Sequence, residues 1–417
     1  MEIDSTFLHK CKTTARKAFT TNYLCSMSVY AKRGVSADKS EVHAAIEGMD
    51  QGLFPGAFCK ILPDFGSRDE DYCCLMHADT AGTKTSLAYL YWKETGDLSV
   101  WKGIAQDAIV MNVDDMACVG MTTDIGLSST IGRNKHLITG DVLKALIQAT
   151  GAFADRMREH GVEIHLAGGE TADVGDIVRT IDVGYTAYGR MRREDVIDIN
   201  PQMGDVVVGF ASYGQATYES EYNSGIGSNG LTGARHDLLD HSYAAKYPET
   251  FDPNTADEYV YAGPAKLTDK IDIGGGVEIE VGKLLLSPTR TFLPLLHAMV
   301  KSFGSKINGI VHNTGGGQSK ASKFLRGKRL IKDNLLPLPP LFSYIAEVND
   351  MTQQELYQVY NMGTRLEAYL PAAYAEEAIS ISKGLGIDAQ IIGRVTDGES
   401  GVEVTSHNGE KLWYPAS

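Results

Sequence analysis

The sequence predicts a two-domain protein of mixed α and β structure, on three observations. Its 417 residues exceed one ordinary domain of roughly 150 residues. Strand-like and helix-like segments alternate along it. The polar stretch 190–204, with Arg192, Arg193, Glu194, Asp195 and Pro201, interrupts that alternation and marks the domain boundary. A composition 43% hydrophobic and 22% charged supplies a sizeable core and excludes a disordered chain.

Residues 1–26 interleave Lys10, Lys12, Arg16 and Lys17 with Ser and Thr and show no apolar period, so they read as a loose extension, with Met27 as an alternative start. The apolar run over 72–78 predicts a buried strand, in which adjacent Cys73 and Cys74 point to opposite faces. Val100, Ile104, Ala108, Met111 and Ala117 recur near 3.6 residues and predict a helix over 99–120. A second helix is expected over 141–160, stopped by Gly161, and strands over 162–167 and 177–188. The second half opens with a strand over 206–211 and closes, over 364–395, with strand, helix, strand, a split sheet-and-helix layer. Between them 243–283 is rich in Pro, Asp, Glu and Gly and reads as a surface insertion. The expected plan is therefore 1–26 extension, 27–200 N-terminal domain, 204–405 C-terminal domain and 406–417 tail.

The net charge of −14, from 39 Lys plus Arg and 53 Asp plus Glu, argues against non-specific affinity for nucleic acid or anionic membrane. No apolar run reaches the length of a membrane span. The six cysteines, Cys11, Cys25, Cys59, Cys73, Cys74 and Cys118, lack zinc-site spacing and fit reduced thiols of a cytoplasmic protein. Glycine is in excess, at 44 residues.

Asp79-Thr80-Ala81-Gly82-Thr83-Lys84 ends a strand with an acid, a glycine and a lysine. An acid can hold a metal ion, a glycine lets backbone amides approach phosphate, and a lysine supplies a point charge; a plain turn satisfies the same hexapeptide. Asp107, Asp114 and Asp115 share one arc of the 99–120 helix, whose remaining circumference is mostly apolar. Crowded carboxylates repel, so the cluster points to a hard cation such as magnesium. Ala167-Gly168-Gly169-Glu170-Thr171 repeats the strand-end pattern. Magnesium held this way keeps part of its shell for phosphate oxygens, hence a nucleoside triphosphate. Ser224–Gly230 and His312–Gly317 each place glycines before a helix-like segment, where backbone amides meet anions or simply cap a helix. Leu286–Arg290 reads as a helix start with Pro288 at its first position, and Arg290 as a phosphate ligand or a surface cation.

The order of these motifs, DxxGTK, VxDD, GGET, SGxxSNG, SPTR, HxTGGG and Asn361-Met362-Gly363, resembles the aminoimidazole ribonucleotide (AIR) synthetase family over about Tyr30 to Val395. The resemblance implies an α+β, two-domain subunit of mixed sheets with helices on one face, in a homodimer whose N-terminal sheets associate into a barrel. It implies an ATP-dependent ligase of purine biosynthesis, closing the ring of formylglycinamidine ribonucleotide with ATP and Mg2+, and often K+. By matching position Asp79, Asp115 and Glu170 would hold magnesium, with Asp107 and Asp114 as further candidates. Gly82, Thr83, Lys84 and Thr171 would line the nucleotide, with Lys84 offsetting triphosphate charge and Asp115 managing protons. Ser228, Asn229, Thr314, Gly315, Gly316 and Gly317 would face the ribonucleotide.

Several departures stand out. Asp114 replaces the usual Asn, Gly227 the usual His before Ser-Asn-Gly, and the glycine-rich N-terminal loop is reduced to Gln51–Gly56. Extra residues precede Ser224, and 243–283 is long for the family. Selenophosphate synthetases need a nucleophilic Cys on the N-terminal loop, and hydrogenase-maturation relatives a C-terminal Cys, which this chain replaces with Tyr414-Pro415-Ala416-Ser417. Thiamine-phosphate kinase and a catalytically silent nucleotide-binding dimer remain the alternatives.

Overall fold

Two curled sheets organise the chain. The computed structural model describes residues 29–35 and 40–416, so the extension expected over 1–26 lies outside the described residues. The first sheet runs β1-β2-β5-β3-β4, from β1 (Leu62–Pro63), β2 (Tyr72–Thr80), β3 (Ile125–Arg133), β4 (Ile164–Asp173) and β5 (Ile181–Arg192). Its strands are antiparallel except β3 and β4. That parallel pair needs a crossover, which the Gly140–Arg158 helix provides. The Val100–Ala117 helix packs on β2 and β5 and against the Gly140–Arg158 helix, so this face of the sheet is covered. Trp101, Ile104, Ala105, Ala108, Ile109, Val113 and Met116 of that helix are all buried. Each large apolar side chain contributes about 1.5–3 kcal/mol, which fixes a helix otherwise burdened by three acids. Phe65, Met76 and Tyr188 remain exposed.

The second sheet runs β14-β13-β10-β12-β6-β11-β9. Its strands are β6 (Val206–Ala211), β9 (Gly309–His312), β10 (Arg329–Lys332), β11 (Thr364–Leu370), β12 (Ala389–Thr396), β13 (Gly401–Thr405) and β14 (Lys411–Pro415). The short β7 (Lys270–Asp272) and β8 (Glu278–Glu280) form a separate hairpin. The α+β class therefore holds. The expected tail at 406–417 is corrected: Leu412 and Tyr414 are buried, and β14 pairs with β13 as an edge strand. The 243–283 segment also has a core of its own, because Tyr243, Tyr261 and Leu267 are buried. It straps the two halves together through Tyr89 Oη donating to Glu249 at 2.7 Å and Tyr91 Oη donating to Glu280 at 2.6 Å. Pro288 does not start a helix; the helix is Leu293–Phe303, with its own proline in the first turn. Among the described residues no helix is long and apolar enough to cross a membrane.

The strap also buries a titratable group. His236 Nδ1 accepts from the Tyr261 backbone N–H at 3.1 Å. Burial, then Arg235 and Arg33, pull its pKa from 6.5 down to about 2. The unfolded chain thus binds more protons below pH 6.5, so stability is complete above that pH and falls as pH drops. Urea unfolding from pH 7.5 to 5 should show this loss, and His236→Asn, whose Oδ1 can stand near the place of Nδ1 and keep the acceptor, should flatten it.

Candidate active site

The Val100–Ala117 helix presents Asp107, Asp114 and Asp115 as expected, but three different sets of partners receive them. Lys84 Nζ donates to Asp107 Oδ1 at 2.8 Å and to the Ser287 carbonyl at 2.5 Å, and neither charged side chain has any exposure. The Thr289 backbone N–H and hydroxyl also donate to Asp107 Oδ1, at 2.7 and 2.6 Å. Burial works against the Lys84 ammonium and Asp107 opposes that loss. Lys84, expected at the triphosphate, and Asp107, a candidate magnesium ligand, are thus found as the two halves of a buried latch. Asp114, the other further magnesium candidate, is likewise buried and engaged. Its oxygens accept from Thr291 Oγ1 at 2.6 Å and the Phe292 N–H at 2.7 Å, while burial pushes its pKa up to about 7. Arg290 is neither surface cation nor free phosphate ligand: it is buried, donating to Glu219 at 3.0 and 2.5 Å and to two carbonyls. The Ser287–Phe292 loop thus docks the C-terminal half on the acids of the N-terminal helix.

Asp115 remains partly exposed and reaches two imidazoles. His312 Nδ1 lies 2.7 Å from Asp115 Oδ1, and His77 Nε2 3.5 Å from Oδ2. Burial raises the Asp115 carboxyl, but the His312 hydrogen bond and charge outweigh it and the net direction is down. A carboxylate can only accept, so Nδ1 carries the proton and Nε2 is a bare acceptor. That Nε2 is buried without a partner. His312, quoted in a motif but given no role from the sequence, is the residue missed. The signal was available: it ends β9 two residues before the Thr314–Gly317 turn begins.

The two glycine loops converge. A Cβ on Gly315 would stand 3.8 Å from Asn229 Nδ2. Gly317, at φ +49°, is tight against the Tyr357 and Tyr360 carbonyls, 2.5 Å from where its Cβ would be, so only glycine fits. Asn361 pins the other loop by donating to the Gly225 carbonyl at 2.9 Å while accepting from Ser212 Oγ at 3.0 Å. Thr314 and Ser228 lie in this region, and Ser228 Oγ is buried without a partner.

The strand-end motifs sit nearer solvent. Asp79 and Gly82 are exposed, as are Glu170 and Thr171 on the open edge strand β4. Thr83 Oγ1 lies 2.8 Å from Thr232 Oγ1, tying the start of the Lys84–Thr95 helix to the start of the Leu231–Leu238 helix. Among the described residues no group of three or more His, Cys, Asp or Glu side chains is placed to hold a metal ion. The five acids therefore do not form one magnesium cluster within the chain.

Family models described as the N-terminal and C-terminal domains of AIR synthase related protein match residues 57–191 and 202–405. A Methanothermobacter thermautotrophicus protein named phosphoribosylformylglycinamidine cyclo-ligase is 28% identical over 401 residues, covering 93% of this chain and 99% of its own length. Among solved structures, a chain of the HypE–HypF complex has a TM-score of 0.51 at 15% identity, covering 91% of this chain and 100% of its own, a likeness of fold. Against T. maritima PurL complexed with AMPPCP the TM-score is 0.46 at 15% identity; 84% of this chain is covered, and it spans 44% of that longer chain.

Proposed function

The chain belongs to the AIR synthase related protein family, and from that premise we propose that it closes the imidazole ring of formylglycinamidine ribonucleotide. ATP would phosphorylate the formyl amide oxygen, giving ADP and an activated carbon. The neighbouring amidine nitrogen then attacks that carbon, losing its proton, and the C–O bond breaks to release phosphate. The observation that carries the reading is the Asp115–His312 pair, whose bare Nε2 can take the amidine proton while Asp115 orients the ring. It lies where the Thr314–Gly317 turn, proposed with Ser228 and Asn229 to face the ribonucleotide, meets the N-terminal helix.

ATP fits best beside Asp79, Gly82 and Thr83, whose glycine lets backbone amides face phosphate. Magnesium enters as the companion of ATP, with Asp79 and Glu170 as the solvent-facing carboxylates that would meet it, and no chemical step depends on its place. The exposed Phe65, Met76 and Tyr188 support a homodimer joined through the N-terminal sheets. Free Cys59, Cys73, Cys74 and Cys118 fit a reducing, cytoplasmic setting.

The test is conversion of formylglycinamidine ribonucleotide plus ATP to aminoimidazole ribonucleotide, ADP and phosphate, with Mg2+ and K+ present. ADP release confined to thiamine phosphate, or ATP binding without turnover of any acceptor, would overturn the reading.

A further inference from the structure

Arg365 enters the middle of the molecule from β11 as the extra residue of a bulge. Thr364 faces Ala211 and Leu366 faces Phe210 on β6, so Arg365 has no opposite number there. Such bulges re-aim a side chain. The residue is 2% exposed. Its guanidinium lies against Gly227, where a Cβ would stand 3.1 Å from Nη1 and 3.3 Å from Cζ, at a φ of +68°. The Ser224–Gly230 loop therefore accommodates this cation, and no side chain at 227 would leave it undisturbed.

The cation has idle donors. Nη2 has no hydrogen-bond partner, and neither has Oγ of Ser228, the residue after Gly227. The neighbouring carboxylates are already engaged: Asp107 by Lys84 and Thr289, Asp114 by Thr291 and Phe292, Asp115 by His312. Burial draws the Arg365 pKa down to about 10, with Asp114, Asp107 and Asp115 opposing, so it stays charged at neutral pH. An enclosed cation without a bidentate partner is costly unless something else fills its donors. A planar guanidinium against a loop whose next residue carries an unpartnered hydroxyl suits phosphate oxygens.

We propose that Arg365 and Ser228 form a phosphate-binding site on the ribonucleotide side of the active site. Two sources share that chemistry: the ribose 5′-phosphate, and the phosphoryl group placed on the amide oxygen and then released. The choice between them, and the placing of the site beside the ribonucleotide, rest on the proposed reaction.

The test is calorimetric titration of the full chain, Arg365→Gln and Ser228→Ala with inorganic phosphate and ribose 5-phosphate, followed by steady-state kinetics. Phosphate affinity should fall about 10- to 100-fold in Arg365→Gln and about 2- to 10-fold in Ser228→Ala. A raised KM for the ribonucleotide with kcat kept assigns the 5′-phosphate; a lowered kcat with KM kept assigns the transferred phosphoryl. No phosphate binding by the unsubstituted chain, or unchanged affinity in the variants, overturns the site; if Arg365→Gln fails to fold, Ser228→Ala decides. Phosphate binding that depends on both residues, without turnover of the ribonucleotide, refutes the proposed reaction and leaves the site standing.

Discussion

Replacing His312 with asparagine should lower kcat for ring closure by about 10²- to 10⁴-fold while the chain stays folded. The amide Nδ2 of asparagine can stand near the place of imidazole Nδ1 and keep donating to Asp115, so the carboxylate retains its partner. What disappears is Nε2, the acceptor with no partner of its own. Burial, with Arg365 next, draws the His312 pKa down to about 4 against the pull of Asp115. The ring is therefore neutral at pH 7 with Nε2 unprotonated, and Asp115 offsets part of the cost that burial puts on protonating it. Asp115→Asn should damage turnover through the same pair, by removing the charge that holds the tautomer and stabilises the protonated ring. Because the two residues act as a unit, the double variant should be little slower than the worse single one. A drop in kcat of less than about threefold in His312→Asn, with folding intact, would remove His312 from the chemistry, since positioning alone does not require Nε2.

The Val100–Ala117 helix was legible because apolar residues surround its acids, and β2 and β6 because each is a short apolar run. The partners of the acids were not legible. Lys84 lies at the end of a strand motif that resembles a phosphate loop, and its pairing with Asp107 depends on the docking of Ser287, 203 residues beyond Lys84, and Thr289, 182 beyond Asp107. Local pattern carries no information about such a contact. The same holds for β14, whose residues look like a tail until β13 offers an edge. Arg365 and Glu367 did leave a trace: two opposite charges within Thr364–Leu370, a strand buried along its whole length. Charges in a central strand demand partners. Glu367 finds Lys332 at 2.5 Å, which leaves Arg365 as the residue to question. The bulge that aims it toward Gly227 is a tertiary feature and has no sequence signature here.

Lys84→Met should destabilise the folded chain by about 3–5 kcal/mol, because it leaves the Asp107 charge buried without its cation. Asp107 Oδ1 would keep the Thr289 N–H and hydroxyl, but Oδ2 has no partner even in the intact protein. Water cannot readily compensate, since both side chains are fully enclosed. Adding Asp107→Asn should recover most of the loss: the amide oxygen still accepts from Thr289, and no charge remains to be desolvated. The single variant should also loosen the docking of the Ser287–Phe292 loop, so urea unfolding followed by tryptophan fluorescence and by circular dichroism should lose its common midpoint. A triphosphate contact predicts the reverse pattern. Lys84→Met would then unfold like the unsubstituted chain, KM for ATP would rise by about tenfold or more, and Asp107→Asn would rescue nothing.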